Sequence, residues 1–184
     1  MRTSPLPVFV VFLAASVVSA QPKTPGPEIG FRSGWARSTT KSGSFTDKTS
    51  TLAVPASFFG PVSGMHLTLF VSPRFALEPQ LGMMRVSSGG DTFSVTMLAA
   101  QGMAFLGPDA EHAPYVFAQA VTIQSDNSGG SSQGQSGFGA GFGVRQVVGK
   151  LGLRYELRLQ RRSGDGDTVN EVALLFGMGT VLGR

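Results

Sequence analysis

The chain holds two histidines, no cysteine, eleven Asp and Glu and fifteen Lys and Arg. Nucleophilic chemistry would therefore need a serine or threonine activated by His66 or His112. His66 lies on the polar side of the alternating segment Met65 to Val71 and could serve as a general base. No serine or acid partner follows from spacing, and a hydrogen-bonded strand histidine is the plainer reading. Gly130-Ser131-Ser132-Gln133-Gly134 fits the G-x-S-x-G pattern of a nucleophile elbow. That elbow needs a strand before it and a helix after it, whereas here it falls in a Ser/Gly/Gln-rich stretch. Ser38-Thr39-Thr40-Lys41 and Ser125-Asp126-Asn127 match two β-lactamase signatures, but the closing K-T-G element is missing. Asp109, Glu111 and His112 could in principle touch one metal, yet so compact a set without cysteine reads as a solvated turn. No Gly-rich segment ends in the Gly-Lys-Ser/Thr of a phosphate loop. The sequence implies neither a cofactor nor a catalytic group.

The charges that do form a pattern are Arg154, Glu156 and Arg158, which alternate with Leu153, Tyr155, Leu157 and Leu159. A strand sends alternate side chains to opposite faces, so residues 151–161 must separate an apolar medium from a polar one. Arg32, Glu78, Arg145 and Glu171 likewise fall opposite apolar faces of other alternating segments. In a narrow barrel with its apolar face turned outward, these seven residues would meet as a hydrogen-bonded ion-pair network filling the lumen. In a water-soluble barrel the same residues would point outward and the leucines would line a ligand cavity.

Eight strands can position such a network: Glu28 to Ser38, Met65 to Val71, Phe75 to Val86, Asp91 to Leu106, Pro114 to Gln124, Gly137 to Val147, Leu151 to Arg161, and Asn170 to Val181. Each is near the ~10 residues that a tilted membrane strand needs. Recognition loops are expected over Thr39 to Gly64 and Ser125 to Ser136. Centring the hairpin of the fourth and fifth strands on Ala110 pairs Phe105 with Tyr115, Met103 with Phe117, Gln101 with Gln119, Ala99 with Val121 and Met97 with Ile123. The apolar face of this hairpin is expected to meet lipid. The two glutamines interrupt it, either as a mutually bonded pair in that face or as residues returned to the lumen by a β-bulge.

Arg2, the apolar run Pro7 to Val18 and the small residues Val18-Ser19-Ala20 have the form of a secretory signal removed after Ala20. Residues 21–27, with Pro22, Pro25 and Pro27, read as a lead-in, and 28–184 as one barrel domain. The net charge of +4 is scattered rather than clustered, so nucleic acid is not an expected partner. Twenty-five glycines and no sustained helical period favour an all-β fold.

With the signal, the strand count, the Gly-x-Gly-x-Gly run at 137–143 and the Leu-x-Tyr-x-Leu run at 153–157, the chain resembles the small outer-membrane β-barrel domain family over about residues 28 to 182. The resemblance implies an eight-stranded antiparallel up-and-down transmembrane barrel in the outer membrane of diderm (Gram-negative) bacteria. It also implies outer-membrane lipids as neighbours, and a role in envelope integrity, adhesion or another surface interaction through the loops. The ending Val181-Leu182-Gly183-Arg184 lacks the terminal aromatic common in that family, and fourteen phenylalanines stand beside two tyrosines and one tryptophan. The competing readings are an exported soluble barrel carrying a hydrophobic ligand and a barrel lipid hydrolase built on His66.

Overall fold

The computed structural model describes residues 24–53, 64–88, 91–127, 129–130 and 132–183; the expected signal at 1–20 lies outside the described residues. Among the described residues nine strands form a single antiparallel sheet: β1 Glu28–Ser42, β2 Phe45–Ala53, β3 Gly64–Ser72, β4 Phe75–Ser88, β5 Asp91–Phe105, β6 Ala113–Asn127, β7 Ser132–Val148, β8 Leu151–Gly164 and β9 Asp167–Val181. From β3 to β9 each strand pairs with the next, and β9 returns to β1 from Glu28↔Val181 to Ser42↔Asp167. The sheet is thus closed. β2 and β3 share one stave, because β2 pairs with β1 over Gly34–Ser42 and β3 with β1 over Glu28–Arg32. Nine strands accordingly make an eight-stranded barrel.

The strand expected at Glu28 to Ser38 runs on to Ser42 and turns at Gly43, whose φ of +55° suits glycine, into β2. β2 lies inside the segment expected to be the long loop Thr39 to Gly64. The second expected loop, Ser125 to Ser136, is largely strand as well, with β6 reaching Asn127 and β7 starting at Ser132. Both differences have one cause. These hairpins carry polar residues on both faces, so they lack the apolar alternation by which strands are read, yet backbone pairing continues through them. The β8–β9 connection is a two-residue Asp165-Gly166 turn with φ of 51° and 86°, the geometry that matches the twist of a hairpin. Asp165 also accepts a 2.8 Å hydrogen bond from the Gly134 amide.

The strand ends that extend three or more residues beyond expectation, in β1, β6, β7, β8 and β9, all lie away from the two termini. At the terminal end the connections are Pro73-Arg74, residues 106–112 and Gly149-Lys150. Within the longest of these, Asp109 accepts a 2.8 Å bond from the Glu111 amide, an Asx turn that accounts for the acid spacing considered above as a metal site.

The outer wall is an apolar band. Leu151, Tyr155 and Leu159 of β8, Val172 and Leu174 of β9, Trp35 of β1, and Phe138, Phe142 and Val144 of β7 are all exposed. On β9 the outward apolar residues run from Val172 to Met178, about 20 Å of strand at ~3.3 Å per residue. Inward positions carry the charges instead. Arg154, Glu156, Arg158, Gln160 and Arg162 of β8 are all buried. The polarity of a water-soluble barrel is reversed.

The β5–β6 hairpin has the expected register, pair for pair from Met97↔Ile123 to Phe105↔Tyr115. Its facing is the opposite of the expectation. Met97, Met103, Phe105, Tyr115, Phe117, Val121 and Ile123 are buried in the lumen together with Gln101 and Gln119, while Leu98 and Val116 point outward. No shift of register interrupts the ladder, so the glutamines reach the lumen without a bulge. Here the bulky apolar face fills the barrel and the smaller alternate residues, Ala100, Gly102, Ala104, Ala118 and Ala120, complete the outer wall. β7 makes room for the filling. A Cβ at Gly141 would stand 2.6 Å from the Phe117 ring and one at Gly143 2.7 Å from the Tyr115 ring.

Candidate functional site

The lumen is divided lengthwise. On the β5–β6 side, Phe70, Phe105, Tyr115 and Phe117 form a chain of tilted rings with centroids 5.2–6.2 Å apart, closed by Ala76, Met103, Ala110 and Ala113. The Arg145 guanidinium lies 4.8 Å over the Phe70 ring and donates to the Ala110 carbonyl at 2.8 Å. This joins the apolar half to the charged half.

The charged half has two clusters. In the one nearer the termini, Glu28 at the start of β1 receives Arg145 through Nε at 3.1 Å and Nη2 at 2.7 Å, and Arg154 at 2.9 Å. Glu78 on β4 is paired with both Arg32 and Arg154, and accepts from Thr68 at 2.5 Å and Gln80 at 3.1 Å. Glu156 is paired with Arg32 at 3.1 Å and accepts from the Tyr115 hydroxyl. Arg32 also donates to Gln101 at 3.1 Å, and Gln80 links Gln101 to Gln119. Three carboxylates, Glu28, Glu78 and Glu156, thus face three guanidinium groups, Arg32, Arg145 and Arg154, and the charge balances. Bonds from β1 to β4 and from β8 to β4 cross the lumen, so this cluster ties together strands that are not neighbours in the sheet.

The second cluster lies farther from the termini. Glu171 on β9 accepts from Arg158 at 2.7 Å, Arg162 at 3.1 Å and Ser38 at 3.4 Å. All are shielded from solvent or nearly so, and a charge so placed is retained only when paired.

Arg32, Glu78, Arg145, Arg154, Glu156, Arg158 and Glu171 all point into the lumen, divided five to two between the clusters. Glu28, Arg162, His66, Thr68 and Tyr115 join them without having been singled out for the network. Glu28 and Arg162 share the parity of Arg32 and Arg158, so alternation alone points to both: Glu28 opens the first expected strand, and Arg162 lies one residue past the expected end at Arg161. Tyr115 was hidden by assigning its face to lipid. Glycines complete the fit, since a Cβ at Gly152 would sit 2.5 Å from the Glu28 carboxylate.

His66 is buried with its Nε2 3.6 Å from Glu28 Oε1, and no serine hydroxyl is bonded to it among the described residues. Its surroundings are those of the ion network. A ligand carrier would place Leu153, Tyr155 and Leu157 inside, but Arg154 and Glu156 occupy the interior and the three apolar residues face out.

No protein-family model matches the sequence, and no curated protein does. Solved structures do match. Neisserial surface protein A (NspA) superposes with a TM-score of 0.59 at 14% identity, over 88% of this chain and 100% of that one. Ail, the attachment invasion locus protein of Yersinia pestis, aligns over 84% of this chain and 99% of its own, at 13% identity and a TM-score of 0.47. The fold assignment rests on the first. The chain has the architecture of the small eight-stranded outer-membrane β-barrels.

Proposed function

We propose that this chain is a non-enzymatic integral outer-membrane β-barrel of a Gram-negative envelope, reached by export through the signal at residues 1–20. Outer-membrane lipids surround its apolar band, and its role is structural or one of surface interaction. The observation that carries this reading is the reversed polarity of β8 and its neighbours, with Leu151, Tyr155, Leu159, Val172 and Leu174 outside and an ion network inside. Water would penalise that outer band and leave the interior charges without their strongest solvent. A bilayer removes the first cost, and mutual pairing offsets the second. The seven lumen charges then act as a plug and brace, because side chains bonded across the lumen occupy the path a solute would take. Contacts with an outside partner fall to the hairpins β1–β2, β6–β7 and β8–β9, which stand beyond the apolar band.

The deciding experiment is cell fractionation combined with heat-modifiability. The protein should remain with outer membranes and migrate differently on a gel before and after boiling. Recovery in the soluble periplasmic fraction, with one mobility throughout, would refute the proposal.

A further inference from the structure

The lumen charges pair with one another, whereas four cations on the outer wall do not. Arg37 and Lys41 on β1, Lys48 on β2 and Arg161 on β8 are exposed, and none forms an ion pair among the described residues. The register brings them together. Lys48 lies opposite Thr39, Thr39 opposite Asn170, and Asn170 opposite Arg161, a row across four adjacent staves. Arg37 sits one outward position below Thr39 and opposite Val172; Lys41 sits one above and opposite Thr168. With ~4.8 Å between neighbouring strands, the row from Lys48 to Arg161 is about 15 Å wide.

All four share the outward parity of Trp35. Asp47, opposite Thr40, is exposed and accepts from the Lys48 amide at 2.8 Å and the Thr49 hydroxyl at 3.2 Å, and Asp167 lies opposite Ser42; neither forms an ion pair with the four cations. Asp165, in the adjoining turn, accepts from the Gly134 amide. Just above the apolar band on β5, β6 and β7, the outward residues are Thr96, Thr122 and Ser136, which are neutral. Among the described side chains of these strands the cations gather on β2, β1 and β8, around β9, at the band's edge away from the termini. Directly beneath it are the exposed apolar residues Trp35, Leu159, Val172 and Leu174.

A cationic row above an apolar wall fits a molecule with an anionic head and a hydrocarbon body. Two arginines on either side of β9 can each offer a planar pair of donors to a phosphate, and two lysines add point charges around it. Strands that run on beyond the band, at the end opposite the termini, mark this edge as the outer one. We propose that this face binds the phosphorylated headgroup of an outer-leaflet lipid between Arg37 and Arg161, with Lys41 and Lys48 flanking it and the acyl chains lying along the apolar wall below. The inference rests on the membrane reading above.

The test uses the full chain folded into phosphatidylcholine vesicles that contain a bisphosphorylated acyl glycolipid or the same glycolipid dephosphorylated. Lipid retained on extraction is measured by mass spectrometry, and Trp35 fluorescence reports occupancy of the adjoining wall. The phosphorylated lipid should be retained about tenfold or more over the dephosphorylated one, and Arg37→Gln with Arg161→Gln should abolish the preference. Both arginines are exposed and unpaired, so the double variant should keep its heat-modifiability. Equal retention of the two lipids, or a double variant that keeps the preference, would overturn the proposal and leave the membrane reading standing. A Trp35 response to inorganic phosphate alone, matching that to the glycolipid, would overturn it in favour of a soluble anion site. Failure to insert into any vesicle would refute both readings.

Discussion

Replacing Arg154 with Met should be among the most damaging single changes in this protein. Arg154 is buried in the middle of the balanced cluster, where it pairs with Glu78, donates to Glu28 at 2.9 Å and to Thr68 at 2.6 Å, and lies against Met103. Methionine keeps much of the volume and removes the charge. Glu28 retains Arg145, and Glu78 retains Arg32, Thr68 and Gln80, but three carboxylates then face two guanidinium groups. One buried negative charge is left uncompensated, which costs about 3–5 kcal/mol, or a factor of roughly 100 to 4,000 in the folding equilibrium. Trp35 is the sole tryptophan and lies on the outer wall, so its emission shifts as the barrel leaves the bilayer. Urea unfolding from lipid vesicles followed by that emission gives the loss directly. Pairing the change with Glu78→Gln should recover part of it, because Glu28 with Arg145 and Glu156 with Arg32 would again be matched pairs. A loss below about 1 kcal/mol for Arg154→Met, or no recovery in the double variant, would refute the claim that charge balance holds the lumen together.

Tyr155→Arg, on the outer wall midway along the apolar stretch from Leu151 to Leu159 of β8, should cost about 2–4 kcal/mol in vesicles through exposure of a charge to hydrocarbon; the same unfolding assay checks it. Gly143→Val should prevent closure, since even its Cβ would meet the Tyr115 ring at 2.7 Å, and the product should lose heat-modifiability. Gly102→Ala is the control, because nothing lies within 4 Å of the added carbon, and it should change stability by less than about 0.5 kcal/mol. Gly166→Val places a branched residue at a φ of +86° and should cost about 1–3 kcal/mol, measured by the same urea titration.

Local alternation fixed much of this protein. Leu153 to Leu159 set against Arg154 to Arg158 determines a strand with one oily and one ionic face, wherever the strand sits. The Ala110-centred register was equally legible, because a hairpin of matched arms has few ways to pair. Glu28 and Arg162 could have been placed by the same parity, since period two extends to the last residue of each strand.

Three-dimensional closure decided the rest. Alternation states that Met97, Met103 and Phe117 share a face without stating which side that face takes, and volume settled it. The barrel interior opposite the β8 arginines had to be filled, so the bulky side chains of β5 and β6 turned inward over the Gly141 and Gly143 of β7. The polar hairpins at Ser38–Ala53 and Gln124–Ser136 were silent for a different reason. Outside an apolar band no medium rewards alternation, so their strands are specified by backbone pairing to neighbours and by turns such as Asp165-Gly166. Which charges meet is the last item only the closed sheet could supply. Glu28 and Arg145, 117 residues apart, become partners because β9 pairs back to β1 and brings the two ends of the chain to one lumen.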